Sequence, residues 1–363
     1  PLIIFYLLAF AFACEETPAP TNTPHSTRTP APIGDEALPD GDRLLNLAVN
    51  IGPKDDFDAI ILKCKEVGMQ GLSLSVFWDD IETAPGVYEP DPNWLEIANM
   101  YYAAVDLNLS VVIPVIDTNR VRVPEWYADK SLDDPEVVAA FNQFLEYVAD
   151  MLPDVNLASF SIGNEIDLYL GNDQAEWEEF IAFYGETSEY ARGLFRDVPV
   201  GTKATFSGLT GEARLFIKEI NRSNETIHLT YYPLNADFTI RPPETVHADF
   251  QAMIDAFPGK QIYLLEAGYP SGIANDSSEQ QQAEFIHEMF LAWDSKVEWI
   301  RLVEYVWLTD IDQGPLDHYA VYYGSDDEGF ISYLATLGLR SGDGVDKPAW
   351  EQYVLEAELR GWR

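Results

Sequence analysis

Residues 261–295 read QIYLLEAGYPSGIANDSSEQQQAEFIHEMFLAWDS. The stretch opens on an apolar run, 261–266, that breaks at Gly268 and Pro270. After a polar turn it resumes with helical periodicity over 278–295. Ser278 with Gln281 has capping-box spacing, which marks where the helix starts. Strand, turn and helix in one short stretch form the unit of a parallel sheet, because parallel neighbours need a crossover between them.

The same beat runs along the chain from Leu44. The pattern predicts strands over 44–50, 71–77, 110–116, 157–163, 202–207, 227–232, 261–266 and 299–307. It predicts helices near 55–68, 92–107, 134–152, 174–196, 210–221, 244–257, 278–295 and 346–359. Asp173 with Glu176 repeats the capping spacing. Eight such units over about 320 residues match a single (β/α)8 TIM barrel. An open doubly wound sheet would want a glycine-rich phosphate turn after its first strand, and NIGPKD over 50–55 is no such turn. The stretch 312–345 is long for a βα loop and is expected to be an ordered excursion beside the site.

The flanks and the composition bound the rest. Residues 42–363 are assigned to the barrel. Residues 15–41 are rich in Pro and Thr without apolar period, as in a solvated linker. Residues 2–13, LIIFYLLAFAFA, are too short to span a bilayer and fit the apolar part of an export signal. With Ala13 and Cys14 they resemble the lipobox segment, 1–14, of a bacterial lipoprotein. An exported protein, at the cell surface or extracellular, is therefore expected, touching a membrane only through a lipid anchor at Cys14. Of 363 residues 61 are acidic and 22 basic, a net charge of -39. Such a surface repels phosphate backbones, so nucleic acid is not an expected partner. Two cysteines cannot build a disulfide framework, and Cys64 continues the apolar stripe Phe57, Ile60, Ile61, Val67 as a core thiol. Five scattered histidines lack ligand spacing, so no metal site is expected.

In such barrels function sits at the C-terminal strand ends. Strand 4 ends Ser161-Ile162-Gly163-Asn164-Glu165, and strand 7 ends Leu264-Leu265-Glu266-Ala267-Gly268-Tyr269-Pro270. A carboxylate at the end of a buried strand carries a desolvation cost, and two on one barrel suit a specific use. One, with raised pKa, protonates a leaving oxygen, while the other attacks an anomeric carbon, and neither needs a metal or cofactor.

These motifs resemble the clan A glycoside hydrolases, which carry Asn-Glu at the end of strand 4 and Glu at the end of strand 7. The resemblance covers the architecture of residues 44–360, and the order of the motifs and their spacing of 101 residues carry most of it. It implies a retaining hydrolase of β-linked oligo- or polysaccharides, with Glu165 as acid/base, Glu266 as nucleophile and Asn164 on the sugar 2-hydroxyl. Tyr232 would orient the nucleophile, with Tyr231 the alternate by strand parity. GNEI, LTYYP and LLEAGYPSG are similar to endo-β-1,4-galactanases and, less closely, endo-β-1,3-glucanases. Strand 2 departs from the pattern: it ends Ser75-Val76-Phe77-Trp78, without the Arg that many clan members place there. The following WDDIETAPGVYEPDPNW is instead like the cellulase and β-galactosidase branches, and GLRSGDGVDKPAW occurs widely in the clan.

Sugar rings pack their C–H faces on aromatic planes. Trp307, Trp78, Trp126 and Tyr269 are the candidate platforms, and Asn50 at the end of strand 1 and the polar run 117–120 are candidates for hydroxyl contacts. Glu304, inside strand 8, is either a third site carboxylate or a partner of Arg301. The main rival is a non-catalytic carbohydrate-binding protein on the same scaffold, which loss of either glutamate would favour. A Schiff-base enzyme would want a strand-end Lys, and no predicted strand ends in one. The N-terminal reading has a direct check: labelled fatty acid should enter the wild-type chain and not Cys14→Ser. Equal labelling of both would rule out the anchor.

Overall fold

The computed structural model describes residues 37–363. The expectations placed on residues 1–36, lipidation of Cys14 among them, lie outside the described residues. Eight strand positions follow in chain order: β1 (Leu44–Ala48), β2 (Gly71–Ser75), β3 (Asn108–Asp117), β4 (Leu157–Asn164), β5 (Lys203–Thr205), β6 (Thr226–Tyr231), β7 (Gln261–Ala267) and β8 (Ile300–Val306). Neighbours are parallel throughout, and β8 returns to pair with β1 over Leu44–Ala48. The fifth position is split. Val200–Gly201 pairs with β4 and Lys203–Thr205 pairs with β6, so two short segments either side of Thr202 together fill the fifth position. This is a (β/α)8 barrel, as the repeating beat predicts.

The outer layer is α1 (Phe57–Glu66), α2 (Trp94–Ala104), α3 (Pro135–Met151), α4 (Gln174–Leu194), α5 (Arg214–Ile220), α6 (Thr245–Ala256), α7 (Glu279–Asp294) and α8 (Pro348–Arg360). The capping signals act as read. Ser278 Oγ accepts from the Gln281 N–H at 3.2 Å, and Asp173 accepts from Ala175 and Glu176. Cys64 is a buried free thiol in the core. Several boundaries shift by a few residues, and at the fifth strand the element itself changes: the expected strand 202–207 gives way to a helix at Phe206–Thr210, because the Thr205 hydroxyl caps it by accepting from the Gly208 N–H. The excursion after β8 is ordered, with helices at Gln313–Tyr323 and Glu328–Ala335.

The main core lies between the strands and the helices. A smaller one fills the barrel itself, where Tyr263, Leu265 and Leu302 pack with Leu44 and Ala158. The floor of the fold is tied by a buried charge cluster. Asp294, at the end of α7, accepts from Arg43 Nη1 at 2.7 Å and from Arg360 Nη2 at 2.7 Å. Arg43 precedes β1 and Arg360 ends α8, so one carboxylate joins the two ends of the barrel chain. Both arginines are nearly inaccessible, at 3% and 2%. Removing the shared anion leaves Arg43 buried without a carboxylate and Arg360 with Glu356 alone, so Asp294→Ala should cost about 3–5 kcal/mol. Denaturant unfolding checks this, and an unchanged midpoint would refute the role given to Asp294.

Candidate active site

Alternation along β6 builds one wall of the mouth. His228, Thr230 and Tyr232 point inward, while Tyr231 points out, its hydroxyl donating to Asp249 at 2.9 Å among Phe206 and Phe250. Thr230 Oγ1 donates to Glu165 Oε1 at 2.8 Å, and Tyr232 OH donates to Glu266 Oε2 at 2.7 Å. Of the two adjacent tyrosines it is therefore Tyr232 that meets Glu266.

Glu165 lies just past β4 in the left-handed region, at φ 47°. A non-glycine residue there is held by its surroundings at a cost of about 1–3 kcal/mol. Gly163, at φ 90°, makes the approach possible: a Cβ there would stand 2.5 Å from Ile166 Cγ2. Thr118 Oγ1 donates to Glu165 Oε2 at 3.1 Å. Asn164 Nδ2 donates to Asp117 Oδ1 at 2.8 Å, while Asn164 Oδ1 is buried with no hydrogen-bond partner among the described residues.

Glu266 reaches the mouth through a bulge. Tyr263 and Leu265 fill the barrel interior, so strict alternation would turn Glu266 outward to the helices. The register slips at that point: Leu229 pairs with Leu264, but Thr230 pairs with Glu266. The extra residue re-aims the side chain inward. The same slip sets Thr230, which holds Glu165, beside Glu266 in register. Gly268 then keeps the space that the Tyr232 ring needs, since a Cβ there would stand 2.8 Å from Tyr232 Cε1.

The charges are unequal. Burial first, and the Glu266 charge second, push Glu165 up to about 8, against the pull of the Thr230 hydrogen bond. Glu266 instead has a cation: Lys203 Nζ of β5 donates to its Oε1 at 2.6 Å, and Lys203 is 3% exposed. Sequence reading missed Lys203 because it looked for lysine at strand ends. Its only signal was a cation inside an apolar strand. Glu304 is buried deeper and accepts from the Ser73 N–H and hydroxyl, each at 2.8 Å. Burial pushes it up to about 7. Arg301 faces Asp42 instead, so the pairing of Glu304 with Arg301 is not formed. Among the described residues no group of three or more His, Cys, Asp or Glu is placed to hold a metal ion.

The expected platforms divide. Trp307 is half-buried at the mouth, stacked with Tyr319 at 6.2 Å between centroids. Trp78 is 1% exposed, packed against Tyr127, Phe141 and Phe144, and bonded to Glu82. Tyr269 is wholly buried on Phe285, its hydroxyl on the Arg241 carbonyl. Neither offers a face to a ligand; both strand-end aromatics turn into the core. Trp126 is half-buried with its indole N–H on Glu82, in the same loop cluster as Trp78. Asn50 is 4% exposed and bonds both backbone groups of Thr309, a tie between the loops after β1 and β8.

The excursion supplies aromatics that the strand-end reading did not. Tyr322 donates to Asp117, and Asn119 Nδ2 donates to the Tyr323 carbonyl at 3.0 Å. On the other side Asn275 Nδ2 donates to the Gly329 carbonyl at 2.8 Å, and Tyr333 packs edge-on to Tyr232 at 5.3 Å. The excursion thus lies across the mouth, from the turn after β3 to the loops after β6 and β7. Tyr323 and Tyr333 both feel the charges of Glu165 and Glu266. Their aromatic spacing in the 312–345 stretch was the available signal.

No protein-family model and no curated protein matches the sequence. Solved structures do match. A GH5_18 protein from Bifidobacterium longum in complex with Manb1-4GlcNAc aligns with a TM-score of 0.67 at 14% identity, over 88% of this chain and 79% of that one. The exo-beta-1,4-mannosidase Op5Man5 from an Opitutaceae bacterium aligns with a TM-score of 0.66 at 14% identity, over 90% of this chain and 62% of that one. A family 39 glycoside hydrolase from Bacteroides cellulosilyticus aligns with a TM-score of 0.60 at 13% identity, over 88% and 64%. The likeness is one of fold.

The raised Glu165 has a stability consequence. The folded chain keeps this proton where the unfolded chain, with an ordinary value of 4.5, has lost it. The group therefore lowers stability progressively as pH rises from that value toward about 8. Glu165→Gln should be more stable than wild type at pH 7 by on the order of 1–3 kcal/mol, with the gain gone near pH 4. Unfolding curves at the two pH values test this, and a gain independent of pH would contradict it.

Proposed function

We propose that the protein is a retaining glycoside hydrolase acting on β-linked glycans. The observation that carries this reading is the unequal treatment of two carboxyls at one barrel mouth. Burial and a neighbouring charge keep Glu165 protonated at neutrality, while Glu266 has a lysine on one oxygen and a phenol on the other. A carboxylic acid and a carboxylate so arranged are the parts of a double displacement.

Glu266 attacks the anomeric carbon as the Glu165 proton passes to the glycosidic oxygen. The bond to the leaving group breaks and an ester to Glu266 forms. Glu165, now ionised, takes a proton from water; the hydroxide displaces Glu266 and restores both groups. Two inversions give net retention. The buried Asn164 Oδ1 is free to accept from a sugar hydroxyl near that carbon. Trp307, Tyr323 and Tyr333 offer ring faces around it.

The net charge of -39 favours a neutral glycan. The fold neighbours, one bound to Manb1-4GlcNAc and one an exo-beta-1,4-mannosidase, support β-1,4-mannosides as first substrates to try. An excursion lying across the mouth suits a chain end or a short oligosaccharide better than the middle of a polymer. Export, with anchorage at Cys14, remains part of this reading. Proton NMR during hydrolysis should show the β-anomer first, and Glu165→Gln should lower kcat by roughly 10²–10⁴-fold on substrates with poor leaving groups. The α-anomer appearing first would overturn the retaining mechanism.

A further inference from the structure

Lys203 is a charged residue at the mouth that no expectation about the site included, and it has an unusual setting. Its ammonium sits 2.6 Å from Glu266 Oε1 inside the barrel, reached by no solvent to speak of. It stands beside His228 in register, on the inward face of the split fifth strand. Three carboxyls surround it: Glu266 in contact, with Glu165 and Glu304 near enough to add their charge. Burial alone would pull its pKa down, and these carboxyls more than offset that, holding it above the ordinary lysine value. His228 cannot share the task. Burial first, then the Lys203 charge, push it down to about 3, so it is neutral, bonded to the Ser161 hydroxyl at 2.7 Å.

A buried ion pair is a poor source of stability, since desolvation of both ions consumes most of the Coulomb gain. A lysine kept in such a place suits a local electrostatic job. Strand 2 lacks the arginine that the resemblance leads one to expect, and among the described residues Lys203 is the only cation bonded to either glutamate of the pair.

We propose that Lys203 is the positioning residue of the proposed nucleophile, fixing one Glu266 oxygen and setting a positive charge beside it from β5, where strand 2 offers no arginine. This rests on the hydrolase reading. Lys203 holds Oε1 while Tyr232 holds Oε2, so the carboxylate plane is set by two donors from adjacent strands. Among the described residues the lysine is also the only cation placed to oppose the mutual repulsion of Glu165 and Glu266. The groups facing Glu266 are Lys203, Tyr232, Glu165 and, from the excursion, Tyr323 and Tyr333.

The test compares wild type, Lys203→Met and Lys203→Arg. The Glu266 carboxyl is followed by carbon NMR through a pH titration, with the resonance assigned by its loss in Glu266→Gln. Its midpoint should rise by about one pH unit or more in Lys203→Met, as removal of a contacting cation demands, and stay near wild type in Lys203→Arg. On a β-glycoside, Lys203→Met should lose at least about tenfold in kcat with a smaller change in KM. Both limbs of its pH–rate profile should move to higher pH, and Lys203→Arg should restore them. An unmoved Glu266 midpoint in folded Lys203→Met overturns the proposal. If Lys203→Met does not fold, Lys203→Arg decides: a profile and kcat like wild type support the charge role, and a full loss of kcat in a folded protein overturns it. A wild-type protein that cleaves no β-glycoside overturns the hydrolase reading and the catalytic role of Lys203 with it. The NMR titration would still report the ion pair separately.

Discussion

Two carboxyls share one half-buried mouth with, among the described residues, a single cation, and the arrangement of the site follows from that shortage of positive charge. Both cannot ionise there cheaply. The structure resolves the conflict by giving the lysine to Glu266 and leaving Glu165 with neutral hydroxyl donors, Thr118 and Thr230. The asymmetry that acid–base chemistry requires is thus built from which strand supplies which donor.

The scaffold makes this possible by concentrating functional groups at one end. Each strand of the barrel delivers its last inward residue to the same mouth. Thr230 shows the economy of the geometry. It holds Glu165 through its side chain and pairs with Glu266 through its backbone, so the two carboxyls are placed by one residue. At the opposite end of the barrel the sharing is reversed: Asp294 serves both Arg43 and Arg360, and Glu356 gives Arg360 a second carboxylate. There the charges are satisfied and buried, and they join the first strand to the last helix.

The excursion after β8 belongs to the site and not to the scaffold. Its two helices rest on the turn after β3 and on the loops after β6 and β7, and they bring Tyr323 and Tyr333 over the carboxyls. Aromatic rings in that position lower the local dielectric and offer stacking faces, which serve both the raised Glu165 and a bound sugar.

The sequence by itself determined the eight-unit beat, the helix starts at Asp173 and Ser278, the core position of Cys64 and the two glutamates that end β4 and β7. These depend on local periodicity and on short-range capping, both of which are written in neighbouring residues. Only the tertiary structure decided which way the strand-end side chains face. Alternation read along β7 would send Glu266 outward, and a one-residue bulge against β6 reverses it. Trp78 and Tyr269 sit at strand ends as legibly as Trp307, yet they turn into the core because Glu82 and the Arg241 carbonyl take their polar atoms. Lys203 became visible only when β5 closed the ring and set it against a carboxylate 63 residues away. Register, bulges and long-range charge pairing are properties of strands meeting in space, and no window of sequence contains both partners.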